Sequence, residues 1–213
     1  MAREVDLIVP LKPPHAGKSR LRGVSASTSA VEHAALVLAL AADTLTAAVT
    51  APGVRRVVVV ATDPAELADL RDLDVELVAE PGTAGLNGAL RHGAAVLRGD
   101  DPAGVIAALQ ADLPALRPAE LAAALGEADG RRAFTADRHG TGTTLLVSAP
   151  GGPLDPRFGA GSADAHAASG AVPLGLDAPS LRGDVDTPGD LDHARALGLG
   201  RHTAALLGVP RAA

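Results

Sequence analysis

Five side chains of this 213-residue chain have the chemistry to act on a polyphosphate: three aspartates and two lysines. Asp112 ends an apolar run in Leu109-Gln-Ala-Asp-Leu-Pro114, and Asp184 and Asp186 alternate in Gly183-Asp-Val-Asp-Thr-Pro-Gly-Asp190. In an extended segment alternate side chains face the same way, so the later pair can converge on one cation. Donors that are all carboxylate oxygen suit a hard ion such as magnesium. Thr187, Pro188 and Asp190 have the spacing of a helix N-cap with proline at the first helical position. That cap accounts for Thr187 and Asp190 but not for Asp184 or Asp186. An aspartate at a strand end is often only a turn residue, and the second carboxylate group is what raises the value of Asp112.

The only two lysines, Lys12 and Lys18, share one seven-residue stretch, whereas the chain has seventeen arginines. An ammonium is a compact point charge suited to phosphate in a tight pocket, a guanidinium is a planar fork, and the two do not substitute freely. No acid occurs between Asp6 and Glu32. Gly17-Lys-Ser19 invites a P-loop reading, which fails because Lys12 stands where that motif needs its first glycine. What remains is a loop in which Lys18 neutralises phosphate while backbone amides cradle it, or a solvated basic loop.

Three further loops offer anion-binding groups. In Pro81-Gly-Thr-Ala-Gly-Leu-Asn-Gly-Ala-Leu90, glycines would let a nucleotide approach a positive helix N-terminus, with Asn87 reaching a ribose or base edge. The alternative is an ordinary strand-to-helix turn capped by Thr83. Gly140-Thr-Gly-Thr-Thr144 and Arg157-Phe-Gly-Ala-Gly-Ser162 present hydroxyls and amides suited to a phosphate or carboxylate acceptor, or are tight turns. The seven histidines are scattered with no pair at ligand spacing. Surface or cap roles are expected for them, and none is assigned to metal.

These loops need a scaffold that delivers them to one edge. Apolar runs over residues 5–11, 54–62, 75–79 and 105–110 read as strands, the second as one buried on both faces. Helices are expected over 29–49, from 63–64 through 70, over 85–97 and over 118–128. The alternation predicts an α/β protein with a mostly parallel sheet flanked by helices, binding ligands at the carboxyl ends of its strands. Beyond residue 130 the rhythm changes: strands over 132–136 and 143–148 follow without a helix between them. A short helix over 162–169, a strand over 171–176 and a helix over 188–197 complete the expectation. One domain over 1–213 is expected, its nucleotide-binding half spanning about 1–130 and its acceptor half about 131–213, with no internal repeat.

Composition removes several classes. A net charge of −6 argues against a nucleic-acid partner. With aromatics at 1% and neither Trp nor Tyr, stacking platforms for bases are absent. Cys 0 excludes disulfides and thiolate metal sites. Acids near the N-terminus are wrong for a signal peptide, and no apolar stretch of membrane-spanning length is expected, so a cytoplasmic protein without a membrane partner is the expectation.

Taken in order, Val9-Pro-Leu-Lys12, Lys18-Ser-Arg-Leu21, Gly85-Leu-Asn87, Ala111-Asp-Leu-Pro114, Gly140-Thr-Gly-Thr143, Arg157-Phe-Gly159, Ser162 and Asp184-Val-Asp-Thr-Pro188 resemble one family over nearly the whole chain. It is the phosphoenolpyruvate or 2-phospho-L-lactate guanylyltransferases of coenzyme F-420 biosynthesis, related to molybdenum-cofactor guanylyltransferase. The resemblance implies a single-domain, Rossmann-like nucleotidyltransferase fold of the GT-A-like kind. It implies magnesium-dependent transfer of GMP from GTP to phosphoenolpyruvate, releasing diphosphate, with possible hand-over of the product to the next pathway enzyme. By the same carry-over the nucleotide meets Leu11, Lys12, Lys18, Gly82, Gly85, Leu86 and Asn87. Thr143, Gly159 and Ser162 bind the acceptor, Asp112 with Asp184 or Asp186 holds metal, and Lys18 and Asp112 are the catalytic pair. The first loop lacks the glycine-rich signature of sugar-nucleotide enzymes, which argues against sugar phosphates. The alternatives are 2-phospho-L-lactate as acceptor, another nucleotidyltransferase of the molybdenum-cofactor type, and a nucleotide-binding regulatory domain without turnover.

Overall fold

The valine run at 57–60 forms the middle of a strand covered on both faces, none of its four residues being more than 1% exposed. It belongs to a seven-stranded sheet in the computed structural model, which describes residues 4–13, 21, 30–80 and 85–209. The strands are β1 (Val5–Pro10), β2 (Val54–Ala61), β3 (Glu76–Ala79), β4 (Val105–Leu109), β5 (Ala133–Ala136), β6 (Thr143–Val147) and β7 (Val172–Pro173). The helices are α1 (Ala30–Val49), α2 (Gly85–Asp100), α3 (Pro118–Ala128), α4 (Ser162–Ala168), α5 (Pro188–Leu197) and α6 (Arg201–Leu207), with a 3-10 helix over Pro64–Leu73.

The sheet order is β3-β2-β1-β4-β6-β5-β7. The first four are mutually parallel, β6 runs antiparallel to both β4 and β5, and β5 is parallel to β7. Strand order reverses between β1 and β4, the switch point at which open sheets bind ligands beyond their carboxyl ends. Because β6 is reversed and Leu145 pairs with Leu109, Thr143 lies at the same edge as the last residues of β1 and β4.

Period-two alternation splits the core. Leu7, Val9, Val57 and Val59 pack with Leu45 of α1 and Leu121 of α3, while Ile8, Val58 and Val60 pack with Leu90 and Leu97 of α2 on the other face. At Gly93 of α2 a Cβ would come within 2.8 Å of the Val60 Cγ2, so glycine is what lets this helix lie so close to the strands.

Three expectations need correction. The first is the absence of an apolar stretch of membrane-spanning length: α1, with 20 residues and mean hydropathy 1.4, meets that criterion by length and composition, and 56% of the window is buried. Its apolarity has a packing cause, since it meets the sheet through Ala41 and Leu45 and joins α5 and α6 through Leu36 and Leu40. Secondly, the strand expected over 171–176 contracts to Val172–Pro173. Pro173 has no N–H to give to a ladder, and the N–H groups of Gly175 and Leu176 donate to the Glu127 carboxylate of α3 at 2.8 and 3.1 Å.

The third is α6, which local pattern does not announce. Its N-cap, Gly200, makes no side-chain cap bond. Asp43, inside α1, supplies the cap instead, its two oxygens accepting the His202 and Thr203 N–H groups at 2.9 and 2.8 Å. A Cβ on Gly200 would stand 2.3 Å from the Asp43 Cγ, so this site excludes any side chain. Asp43→Ala should lower stability by about 2–3 kcal/mol in urea denaturation, because two enclosed amide donors lose their acceptor. Asp43→Asn, which retains one acceptor oxygen, should lose less.

Candidate active site

The carboxyl edge of β4 is where the first carboxylate emerges. Thr44 of α1 pins the turn: its Oγ1 accepts the Leu113 N–H at 2.9 Å and lies 3.1 Å from the Ala111 carbonyl oxygen. Gln110 donates its N–H to the Thr144 carbonyl at 2.9 Å. Asp112, held between these anchors, is 9% exposed.

The second carboxylate group arrives from far along the chain through one backbone bond, from the Val185 N–H to the Asp112 carbonyl at 3.0 Å. Val185 is fully buried, Asp184 half-buried and Asp186 exposed, as alternation along an extended segment requires. Upstream, Glu120 of α3 accepts the Ser180 N–H at 2.8 Å, and the Ser180 hydroxyl accepts the Arg117 N–H at 2.9 Å. Downstream, the expected cap is present in full: the Thr187 N–H donates to Asp190 Oδ2 at 2.8 Å and the Asp190 N–H returns to Thr187 Oγ1 at 3.3 Å. Arg138, after β5, pairs with the same Asp190. Burial opposes ionisation of Asp190, but the guanidinium and the Thr187 hydrogen bonds outweigh it and draw the carboxyl down to about 2. Leu21, three residues beyond Lys18 in sequence, is buried in the same cluster as Val185 and Leu191.

Of the residues expected to meet the nucleotide, Leu11 is buried and extends the β1–β2 pairing by donating its N–H to the Val60 carbonyl at 2.9 Å, and Lys12 beyond it is exposed. Gly85 opens α2 with φ +62° and has open space where a Cβ would lie. Leu86, half-buried, packs on the α2 side of the core. Lys18 and Gly82 lie outside the described residues. Asn87 differs from the expectation of a ribose or base contact. Its amide faces the backbone of Phe158, donating to that carbonyl at 2.9 Å and accepting that N–H at 2.8 Å. It therefore stitches the start of α2 to the loop before α4.

The two loops expected to bind the acceptor meet through contacts the sequence does not advertise. Ala163 donates to the Thr141 carbonyl at 3.1 Å, which joins the β5–β6 hairpin to the entrance of α4, and Ser162 closes a local turn on the Gly159 carbonyl at 3.1 Å. Gly159 and Gly161 take φ of +140° and +69°, conformations natural to glycine. Thr143 and Ser162 are 5% and 2% exposed. Between them sits a residue given a surface or cap role in the sequence reading: His166 has no exposed surface, its Nδ1 lies 2.9 Å from Thr143 Oγ1, and its Nε2 accepts the Arg157 N–H at 2.9 Å. Burial, and then the charge of Arg132, lower its pKa to about 4, so the ring is neutral. A lone histidine carries no motif, and its surroundings, which include the only two phenylalanines, Phe134 and Phe158, are assembled by the fold alone.

One sheet edge thus gathers Asp112, the 184–186 segment, Leu11 and Lys12, and Thr143 with its loop. Among the described residues no group of three or more acids or histidines stands close enough to cage a metal by itself. The donors at Asp112 and the neighbouring segment are carboxylates, which suits an ion such as magnesium that keeps water and substrate phosphate as its remaining ligands. A cleft of about 420 Å³ lined by Val5, Val105, Gly126, Val147 and Pro150 lies at the opposite edge, away from these groups.

Comparison with known proteins bears on the family and the fold. No protein-family model matches the chain. It is 51% identical over 211 residues to the phosphoenolpyruvate guanylyltransferase of Salinispora arenicola, covering 98% of this chain and 95% of that protein. The identity is 51% over 205 residues to the protein of the same name from Streptomyces scabiei, covering 93% and 94%. Among solved structures, a nucleotide-diphospho-sugar transferase from Desulfovibrio desulfuricans G20 aligns with TM-score 0.66 at 16% identity, over 89% of this chain and 85% of that one. The 4-diphosphocytidyl-2C-methyl-D-erythritol synthase aligns at 0.58 and 16%, over 92% and 99%. At such identities the structural likeness establishes the nucleotidyltransferase fold and nothing finer.

The Asp190 cap predicts a pH signature. Its folded pKa lies below the unfolded value, so its stabilisation is complete above about pH 4 and is lost as pH falls towards 2. Asp190→Asn should cost on the order of 2 kcal/mol in urea at pH 7, and the gap to the unsubstituted protein should close between about pH 4 and 2.

Proposed function

Since this chain belongs to the phosphoenolpyruvate guanylyltransferase family, it is a nucleotidyltransferase, and we propose that its reaction is transfer of GMP from GTP to phosphoenolpyruvate. A phosphate oxygen of phosphoenolpyruvate attacks the α-phosphorus of GTP. The new P–O bond forms as the bond from the α-phosphorus to the α,β-bridging oxygen breaks, giving enolpyruvoyl-2-diphospho-5'-guanosine and diphosphate. The acceptor phosphate is already ionised at neutral pH, so no general base is required. The task of the site is to hold two anions in line and to offset the charge that develops on the leaving group.

The observation that carries this reading is the Val185–Asp112 bond, which sets the acidic segment beside Asp112 at the edge that also presents Thr143. Asp112 with Asp184 or Asp186 would hold magnesium, which when bound supplies charge neutralisation at the phosphates. Lys18 would stabilise the charge that builds as diphosphate leaves. Leu11, Lys12, Gly82, Gly85 and Leu86 would line the nucleotide and Thr143, Gly159 and Ser162 the acceptor, dividing one domain into a nucleotide half over 1–130 and an acceptor half over 131–213. The enzyme would act in the cytoplasm and pass its product to the next enzyme of coenzyme F-420 biosynthesis.

Diphosphate release measured with magnesium, each nucleoside triphosphate and each acceptor in turn tests the assignment. Turnover is expected with GTP and phosphoenolpyruvate, with a product of the corresponding mass. Release confined to 2-phospho-L-lactate or to sugar phosphates would overturn it. Asp112→Asn should lower kcat by on the order of 100-fold or more with little change in Tm. Unchanged turnover in that variant would remove Asp112 from the chemistry.

A further inference from the structure

The aromatic inventory of the chain is two phenylalanines, and both are spent on one imidazole. Phe134 and Phe158 lie with ring centroids 5.9 and 5.1 Å from that of His166, the second edge-on at 74°. Arg132, which reaches the carbonyls of Leu154, Asp155 and Ser169, closes the loop around the same ring. A histidine walled in this way has one orientation, and its two nitrogens have different partners.

Those partners determine where its proton sits. The group at Nε2 is the Arg157 backbone N–H, which can only donate, so Nε2 must carry the lone pair. The proton of the neutral ring is then on Nδ1, where Thr143 Oγ1 lies at 2.9 Å and the ring also bonds the Ser162 backbone. The threonine oxygen is therefore the acceptor in that bond, and its own hydrogen is not used there. No other hydrogen bond of that hydroxyl is found among the described residues.

We propose that His166 is a positioning residue of the acceptor subsite: by accepting the Arg157 amide at Nε2 and donating from Nδ1 to Thr143, it commits the Thr143 hydroxyl proton to an anionic oxygen of the acceptor. The inference rests on the reading of Thr143 as an acceptor-binding residue. It adds that the residue works only because a neighbouring imidazole is fixed in one tautomer. The chain of bonds from amide to imidazole to hydroxyl to anion polarises in one direction, each donor strengthening the next. The opposite tautomer would turn the hydroxyl proton toward the ring and present the acceptor with a lone pair.

Two measurements test this. In a long-range proton–nitrogen NMR spectrum of protein labelled with nitrogen-15 at histidine, the signal absent from His166→Gln should report a neutral ring with its proton on Nδ1 at pH 7. A proton on Nε2, or an imidazolium, would overturn the proposal whatever the activity. In steady-state kinetics, His166→Gln retains an acceptor for the Arg157 amide and loses the donor to Thr143. It should raise KM for phosphoenolpyruvate about tenfold, the scale of one hydrogen bond to a charged group, with KM for GTP within about twofold. His166→Asn, whose amide nitrogen falls near the place of Nδ1, should recover part of that loss and serves as the measured variant if the glutamine protein does not fold. Thr143→Val should raise KM for phosphoenolpyruvate alone, and Thr143→Val combined with His166→Gln should be no worse, because both remove one interaction. Additive losses, or an equal rise in KM for GTP, would sink the role of His166. A Thr143→Val protein with unchanged KM for phosphoenolpyruvate would instead sink the reading of Thr143, leaving the tautomer to the spectrum.

Discussion

The joint on which the site turns is a single backbone hydrogen bond, from Val185 to the carbonyl of Asp112. A bond of this kind contributes about 1 kcal/mol net and would not by itself hold two segments 73 positions apart in sequence. What makes it dependable is that both of its ends are already fixed. Thr44 immobilises the turn at Ala111–Leu113, and Val185 is buried in a cluster with Leu21, Leu36, Leu40 and Leu191. Apolar burial supplies the free energy, and the hydrogen bond supplies the register. Slipping the acidic segment by one residue would bury a carboxylate and expose Val185, so the alternation fixes the register of the segment.

The segment before α4 presents a different problem, how to hold a loop that has neither strand nor helix. Residues 153–158 carry no regular structure, yet their backbone groups are met by side chains. Arg132 takes the carbonyls of Leu154 and Asp155, His166 takes the Arg157 N–H, and Asn87 takes both polar groups of Phe158. Satisfied buried polar groups of this kind make a loop as well defined as a strand. Asn87 also ties that loop to the start of α2, so the two share a fixed spacing.

Much of the scaffold was readable in advance because parallel strands buried on both faces leave unbroken apolar runs and because caps are local. The run at 57–60 and the Thr187–Asp190 cap are each set by neighbours in sequence. What escaped depends on partners far away. The cap of α6 is Asp43, and no rule of spacing links residue 43 to residue 202. The 171–176 strand fell short because Glu127 competes for its amides. Asn87, a plausible ligand for ribose on sequence, is engaged by a loop 71 residues on. His166 was invisible for the same reason, since an isolated histidine among alanines acquires meaning only when Thr143, Arg157 and both phenylalanines converge on it.

The Asp43 cap has a consequence for how the chain reaches this structure. A carboxylate lying in the middle of an apolar helix, 5% exposed, is costly to enclose until its donors exist, and those donors lie 159 and 160 residues later. Without those donors the charge must stay hydrated, and the α1 surface that α6 covers stays open to water. Closure over Asp43 joins contacts of very large sequence separation, the kind that slow folding. The same carboxylate that looks like a defect in an apolar helix is enclosed only where Gly200–Thr203 meets it.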